Sequence, residues 1–396
     1  MTKNHKKSTT RQIEEKFSST AFQLSQERND FFLPVIVDYV KGRKWMNLHP
    51  EYQRRLVWDL KKRSLFIESL LLNIPIPPIF LYEPDLNRYE VMDGQQRLNA
   101  IVDFYENGFE LHGLETWSDI NGKRYRDLPE TLKRGLDRRR LSATVVLIER
   151  TTEKQQVTQS DIRKVVFERL NTGGQNLNHQ EIRNAIFAGP FNDLLIELSK
   201  NPLFTTLWGI PDYRQHVDSS GRPDEERAGD RYYRRMIDCE IVLRFFAFRK
   251  RSRIKGSVRN ILDTCMKDYE NPSSDEIEEM KDAFVTRLEL AHQVFGDRTF
   301  RYLEENDGQW KLSQPLYDAT MVALDRLYSN RRKVIAKKNA ILKSLRRRLL
   351  RPAVYAIVVG RPNTAKAIHK RIDLLEETFK EAVYVVRTFR TSSHWN

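Results

Sequence analysis

Apolar residues recur at helical spacing through Leu60, Phe66, Ile67, Leu70 and Leu71; Asp59 stands before them as a cap and Pro75 stops the run. Two short β-prone runs follow, Pro78 to Tyr82 and Arg88 to Met92, with Pro84-Asp85-Leu86-Asn87 between them, and together they predict a hairpin. Asp93-Gly94 breaks the second run. Leu98, Ile101, Val102 and Tyr105 then restore helical spacing until Asn107-Gly108. A short helix is predicted over Leu33 to Val40 and a further strand over Ala143 to Ile148. Residues 1–30 are polar, with Phe17, Phe22 and Leu24 as the main apolar points, and predict a flexible tail. Residues 161–189 read as helix, turn, helix, with Asn178 and Glu181 at capping-box spacing before the second helix. The stretch 212–231 carries six acids, four arginines and few apolar residues, which predicts a mobile loop or linker. Helical spacing then dominates at 236–248, 276–295, 315–328, 334–350 and 372–386. The pattern predicts an α+β chain: strands and helices over 31–200, then a mostly α-helical domain over 201–396.

Composition narrows the function classes. Lys and Arg number 68 against 54 Asp and Glu, a net charge of +14 that favours polyanionic partners. Two cysteines, Cys239 and Cys265, exclude a disulfide framework and a cysteine-based zinc ribbon. No apolar stretch follows the polar start, so no signal peptide is expected. The longest uncharged apolar run, Ser69 to Tyr82, holds three prolines and is too short to span a bilayer. A cytoplasmic protein without membrane contact is the expectation. Two runs lack acids: Arg244 to Arg259 with seven basic residues, and Arg331 to Arg351 with ten. From these, Arg249, Lys250, Arg251, Arg346, Arg347 and Arg348 are candidate DNA contacts, of the kind that position a backbone and read no sequence.

The sharpest local signal is Asp93-Gly94-Gln95-Gln96-Arg97, where a predicted strand gives way to a helix. A helix N-terminus presents unpaired amides and partial positive charge, which suits phosphate. Gly94 allows close backbone approach, and Arg97 offers a donor fork matched to phosphate oxygens. Asp93 could hold Mg²⁺ through water or orient a water. On spacing alone a plain alternative stands beside this: Asp93 caps the helix, Gly94 makes the turn and Arg97 faces solvent. The two glycines of Asn171-Thr172-Gly173-Gly174, flanked by Arg169 and Arg183, suit an anion-binding nest or a simple helix–helix connection. Neither a P-loop nor a Gly-x-Gly-x-x-Gly motif is present, and no His-Glu-x-x-His pattern occurs among the eight histidines.

Asp93-Gly94-Gln95-Gln96-Arg97 resembles the signature of the domain family found at the N-terminus of GmrSD-type restriction endonucleases and in SspE-type defence proteins. Tyr52-Gln53-Arg54-Arg55-Leu56-Val57-Trp58 with Phe66 to Pro78, and Phe167 to Gly174 with Leu177 and Glu181 to Ala185, match in order and spacing over roughly residues 31–200. The resemblance implies a core similar to ParB and sulfiredoxin, a small mixed sheet with helices, in which the glycine turn holds nucleotide phosphates. Gln95 stands where sulfiredoxins carry their cysteine, so sulfiredoxin chemistry is excluded. On this basis Asp93, Arg97 and Gln95 are candidate catalytic residues, with Asp93 also the candidate metal ligand. Gly94, Gln96, Gln53, Arg54, Asn171, Thr172, Gly173, Gly174 and Arg169 are candidate nucleotide contacts, and Trp58 is read as core.

The implied activity is hydrolysis of a nucleoside triphosphate with Mg²⁺, coupled to DNA sensing in restriction or antiviral defence. Multi-domain relatives end in a histidine-based HNH nuclease, and the C-terminal half shows no paired-histidine pattern to supply one. The expected partners are therefore a nucleotide, DNA, a separate effector nuclease and further copies of the chain. Two alternatives stand: a non-catalytic DNA- or nucleotide-sensing subunit, and a stand-alone ParB-like DNase.

Overall fold

A computed structural model describes residues 23–48, 58–149, 178–187, 189–217, 223–304, 308–359 and 363–384, together with Val166. The chain divides into two compact units, 1–177 and 178–396. The division falls earlier than the expected position near 200, because the helices after Asn178 pack with the helical half.

The first unit is built on a five-stranded mixed sheet in the order β1-β5-β3-β4-β2. Its strands are β1 (Gln23–Phe32), β2 (Met46–Asn47), β3 (Ile79–Asp85), β4 (Arg88–Asp93) and β5 (Arg140–Glu149). β3 and β4 form the predicted hairpin, with Asn87 in the left-handed conformation at its turn. β3 pairs parallel with β5, and β1 pairs antiparallel with β5 along ten residues. The last eight residues of the expected flexible tail are thus an edge strand. Gln26, Glu27, Arg28 and Asp30 face solvent, so hydrogen-bonded pairing rather than an apolar face holds it.

Among the described residues four helices serve this sheet: α1 (Leu33–Val37), α2 (Leu60–Leu71), α3 (Gln95–Tyr105) and α4 (Glu130–Asp137). α1 runs on into a π-helical turn, Asp38–Gly42. Asp59 caps α2 by accepting the Lys62 amide at 2.7 Å. α2 buries Phe66, Ile67, Leu70 and Leu71, while α3 buries Leu98, Ile101, Val102 and Phe104 against the same core as Ile79, Leu81, Val91 and Val145. Each such side chain contributes roughly 1.5–3 kcal/mol of burial. Buried Glu68 accepts the amides of Thr116 (3.1 Å) and Trp117 (2.8 Å), which fastens the chain beyond α3 to α2.

The second unit is helical: α5 (His179–Ile186), α6 (Pro190–Ser199), α7 (Pro202–Trp208), α8 (Glu225–Gly229), α9 (Arg231–Arg234), α10 (Ile237–Arg249), α11 (Val258–Asp268), α12 (Ser274–Phe295), α13 (Gln314–Arg326), α14 (Arg331–Ala336), α15 (Lys338–Leu349), α16 (Pro352–Val359) and α17 (Ala365–Tyr384). A small hairpin, β6 (Arg301–Leu303) and β7 (Trp310–Leu312), precedes α13. α10 is buried on nearly every side and is the axis of the unit. Its Arg244 reaches the buried Asp318 of α13, Nε to Oδ1 at 2.9 Å. Arg183 of α5 is buried and held by Glu240 (3.2 Å) and Asp263 (2.7 Å).

Of the charge-dense stretch 212–231, expected as a mobile loop or linker, residues 212–217 and 223–231 are described. Asp224 and Asp230 cap α8 and α9, and His216 Nδ1 lies 2.8 Å from Asp224. Arg227 is fully buried, lies over the Tyr213 and Tyr233 rings, and donates to the Pro211 carbonyl. One arginine buried between two rings supplies the core that the composition lacked.

Candidate functional site

Gly94 stands between β4 and α3 with φ +96° and ψ 7°, a left-handed conformation that favours glycine. A Cβ built there would lie 2.3 Å from Ile79 Cγ2 and 2.9 Å from Ile79 Cβ. Ile79 is fully buried at the start of β3. The glycine is therefore required by packing against the sheet, whereas the sequence reading had assigned it close approach to a ligand. The N-cap position of α3 is this glycine, so it supplies no side-chain cap. A helix start carries partial positive charge.

Arg97, one turn into α3, folds back. Its Nη2 donates to Asp93 Oδ2 at 3.0 Å, and its Nη1 donates to the carbonyls of Pro77 and Pro78, the latter at 3.3 Å. The side chain is 13% exposed, while that of Asp93 is 47% exposed. Burial lowers the Arg97 pKa and the neighbouring carboxylate works against that; a guanidinium stays protonated regardless. Arg97 thus fixes Asp93 and ties the α3 start to the approach to β3, rather than projecting its full fork toward a phosphate. Nε and the second Nη2 hydrogen carry no bond among the described residues. The carbonyls of Pro77 and Pro78 were not singled out as site groups by the sequence reading. The signal was the Pro75-Ile76-Pro77-Pro78 run, since a residue before proline is held extended.

The two glutamines have matched roles. Gln95 is buried and its Nε2 donates to the Leu48 carbonyl at 2.6 Å. Gln96 Oε1 accepts the Trp58 amide at 3.3 Å. Leu48 and Trp58 bound residues 49–57, so both ends of the segment that carries Gln53 and Arg54 are fastened to the first turn of α3. Gln95, expected among catalytic groups, is here a buried tether. Trp58 packs edge-on against Phe66 at 5.3 Å, as a core residue. Gln53, Arg54, Arg169, Asn171, Thr172, Gly173 and Gly174 lie outside the described residues.

The basic candidates separate into two groups. Arg249 pairs with Asp325 (2.9 Å), Arg251 with Asp373 (Nη2 to Oδ2, 3.0 Å) and Arg348 with Glu381 (2.6 Å). The run 244–259 lacks acids in sequence but meets them in space, and its arginines hold helices together. Lys250 is exposed, lies over the Tyr269 ring and interacts electrostatically with Glu276, whereas Arg346 and Arg347 are exposed and form no ion pair among the described residues.

A small mixed sheet with a strand–glycine–helix junction and a carboxylate fixed by arginine defines the class of domain. Residues 36–188 match the family model for the GmrSD restriction endonuclease, N-terminal domain, so the chain carries a GmrSD-type N-terminal domain over those residues. That family points to a restriction or defence-related role. No curated protein and no solved structure matches the chain. Among the described residues no helix is long and apolar enough to cross a membrane, and no three His, Cys, Asp or Glu side chains are grouped to hold a metal.

Proposed function

We propose that this protein binds and hydrolyses a nucleoside triphosphate at the start of α3, and that this activity is coupled to DNA sensing in restriction or antiviral defence. The supporting observation is a half-exposed carboxylate that an arginine holds in place, directly before a left-handed glycine and the start of a helix. The dipole at that helix start favours the negative charge of the phosphates. Asp93 Oδ1, free of hydrogen bonds among the described residues, orients a water or the water shell of Mg²⁺. One outer-sphere carboxylate suits Mg²⁺, which keeps several waters and takes further ligands from substrate phosphate. The ion neutralises charge on the phosphoryl oxygens when bound. Arg97 acts as the positioning residue for Asp93. In this reading Gln53, Arg54, Arg169, Asn171, Thr172, Gly173 and Gly174 complete the nucleotide contacts.

The test is phosphate release from each NTP with Mg²⁺, with and without DNA, for wild type, Asp93→Ala and Arg97→Lys. Asp93→Ala abolishes turnover, and Arg97→Lys lowers kcat more than it raises KM. Wild-type release equal to that of Asp93→Ala refutes hydrolysis at this site. The commitment of Arg97 to two backbone carbonyls favours a second reading, a nucleotide sensor without turnover that controls a separate effector. Calorimetric NTP binding without phosphate release identifies that case.

A further inference from the structure

The run 331–351 carries +10 of the net +14, which leaves the other 375 residues at +4. In space the run is α14 and α15. Val334, Ile341 and Leu345 turn inward and are buried. Of the ten basic residues only Arg348 has an acidic partner among the described residues; the other nine are exposed. On α15, Lys343, Arg346, Arg347 and Leu350 recur at i, i+3, i+4 and i+7, on the side away from Ile341 and Leu345. Leu350 is 75% exposed.

The contrast with the rest of the unit is informative. Arg183, Arg244, Arg249, Arg287 and Arg326 each meet a carboxylate within 3.2 Å. The same unit neutralises its cations where they serve packing and leaves these bare. Unneutralised like charges on two consecutive short helices repel one another and are retained at a cost in stability. An anion with many charges along a line removes that cost. The 12 residues of α15 span about 18 Å, along which duplex DNA presents roughly ten phosphate charges. A single nucleotide meets only one or two of these cations. An interfacial helix lays a continuous apolar face into a bilayer; here Val334, Ile341 and Leu345 are buried in the protein, while the exposed Ile335, Leu342 and Leu350 are separated in sequence by basic residues.

We propose that the solvent face of α14 and α15 is a sequence-independent docking surface for a nucleic-acid phosphate backbone, with Lys343, Arg346 and Arg347 at its centre. It rests on the DNA-sensing part of the proposed function and not on NTP hydrolysis. The test is fluorescence anisotropy of the full chain with a random-sequence duplex from 50 to 300 mM KCl, without nucleotide. Each phosphate contact contributes about 0.9 to the slope of log K against log salt, so Lys343→Ala/Arg346→Ala/Arg347→Ala lowers the slope by about 2.7. Extrapolated from 1 M, that corresponds to weakening of several-hundredfold, on the order of 500, at 0.1 M salt. Arg346→Lys/Arg347→Lys keeps the slope, and the triple variant melts no lower than wild type. An unchanged slope in the triple variant overturns the proposal. So does wild-type binding to phosphatidylserine vesicles without duplex binding, or binding to neither. Loss of NTP hydrolysis in Asp93→Ala, or its absence from wild type, leaves this slope untouched.

Discussion

Gly94→Ala is the substitution whose consequence the geometry defines most closely. The new methyl carbon lies 2.3 Å from Ile79 Cγ2, which itself is fully buried, at a φ of +96°. Left-handed backbone costs a residue with a Cβ roughly 1–2 kcal/mol. Forcing a methyl into a filled core costs about 1–3 kcal/mol more. The expected loss is therefore about 2–5 kcal/mol, confined to the first unit. Hydrogen exchange read by mass spectrometry suits a chain of two units, because each reports separately. Amides of β3, β4 and α3 should lose protection by about thirtyfold to several thousandfold, at tenfold per 1.4 kcal/mol. Amides of α10 and α13 should be unchanged and serve as the internal control. A change of less than about fivefold in β3, roughly 1 kcal/mol, refutes the packing role assigned to this glycine.

Arg244→Met leaves Asp318 buried without its cation and should destabilise the second unit by about 3–5 kcal/mol in urea unfolding, with Arg244→Met/Asp318→Leu recovering most of the loss. Gln96→Ala removes the acceptor of the Trp58 amide, whose exchange should quicken at least about fivefold, in line with one hydrogen bond of about 1 kcal/mol. Burial pushes the Cys265 thiol up to about 12, with nearby charges adding smaller effects, so iodoacetamide at pH 8 should label it only after unfolding. For Glu376, burial alone raises the pKa, but hydrogen bonds from Lys380 and Arg326 outweigh it and hold the carboxyl below its ordinary 4.5. Its contribution to docking α17 is present above that value and fades as pH falls through the lower folded value. Glu376→Gln should flatten the acid limb of the melting profile.

The helices that carry an apolar stripe and a cap were legible: α2 behind Asp59 and α5 behind Asn178 and Glu181 start where the side-chain chemistry directs, while α12, expected from 276, begins two residues earlier behind Ser273. The β3–β4 hairpin and the strand-to-helix junction at Gly94 were legible for the same reason. β1 was not, because Gln-Leu-Ser-Gln-Glu-Arg-Asn-Asp offers no alternation; its partner strand, not its own composition, makes it extended. Asp30 opposite Ser142, joined at 2.6 Å, and Phe32 beneath Arg140 are contacts between residues more than 100 positions apart. The basic run at 334–350 was read as one helix and is two, broken at Lys337. At the site, the motif itself was legible but the direction of each side chain was not. Arg97 turned to carbonyls and Gln95 to Leu48 because both acceptors arrive from distant backbone, which spacing along one chain does not encode.

The tethers from Gln95 and Gln96 make the first turn of α3 a two-sided clasp. Leu48 and Trp58, which flank residues 49–57, are each gripped through a backbone atom, which every side chain supplies alike. Substitution at either flanking position should thus leave both clasping bonds their partners, whereas loss of either glutamine undoes one of them.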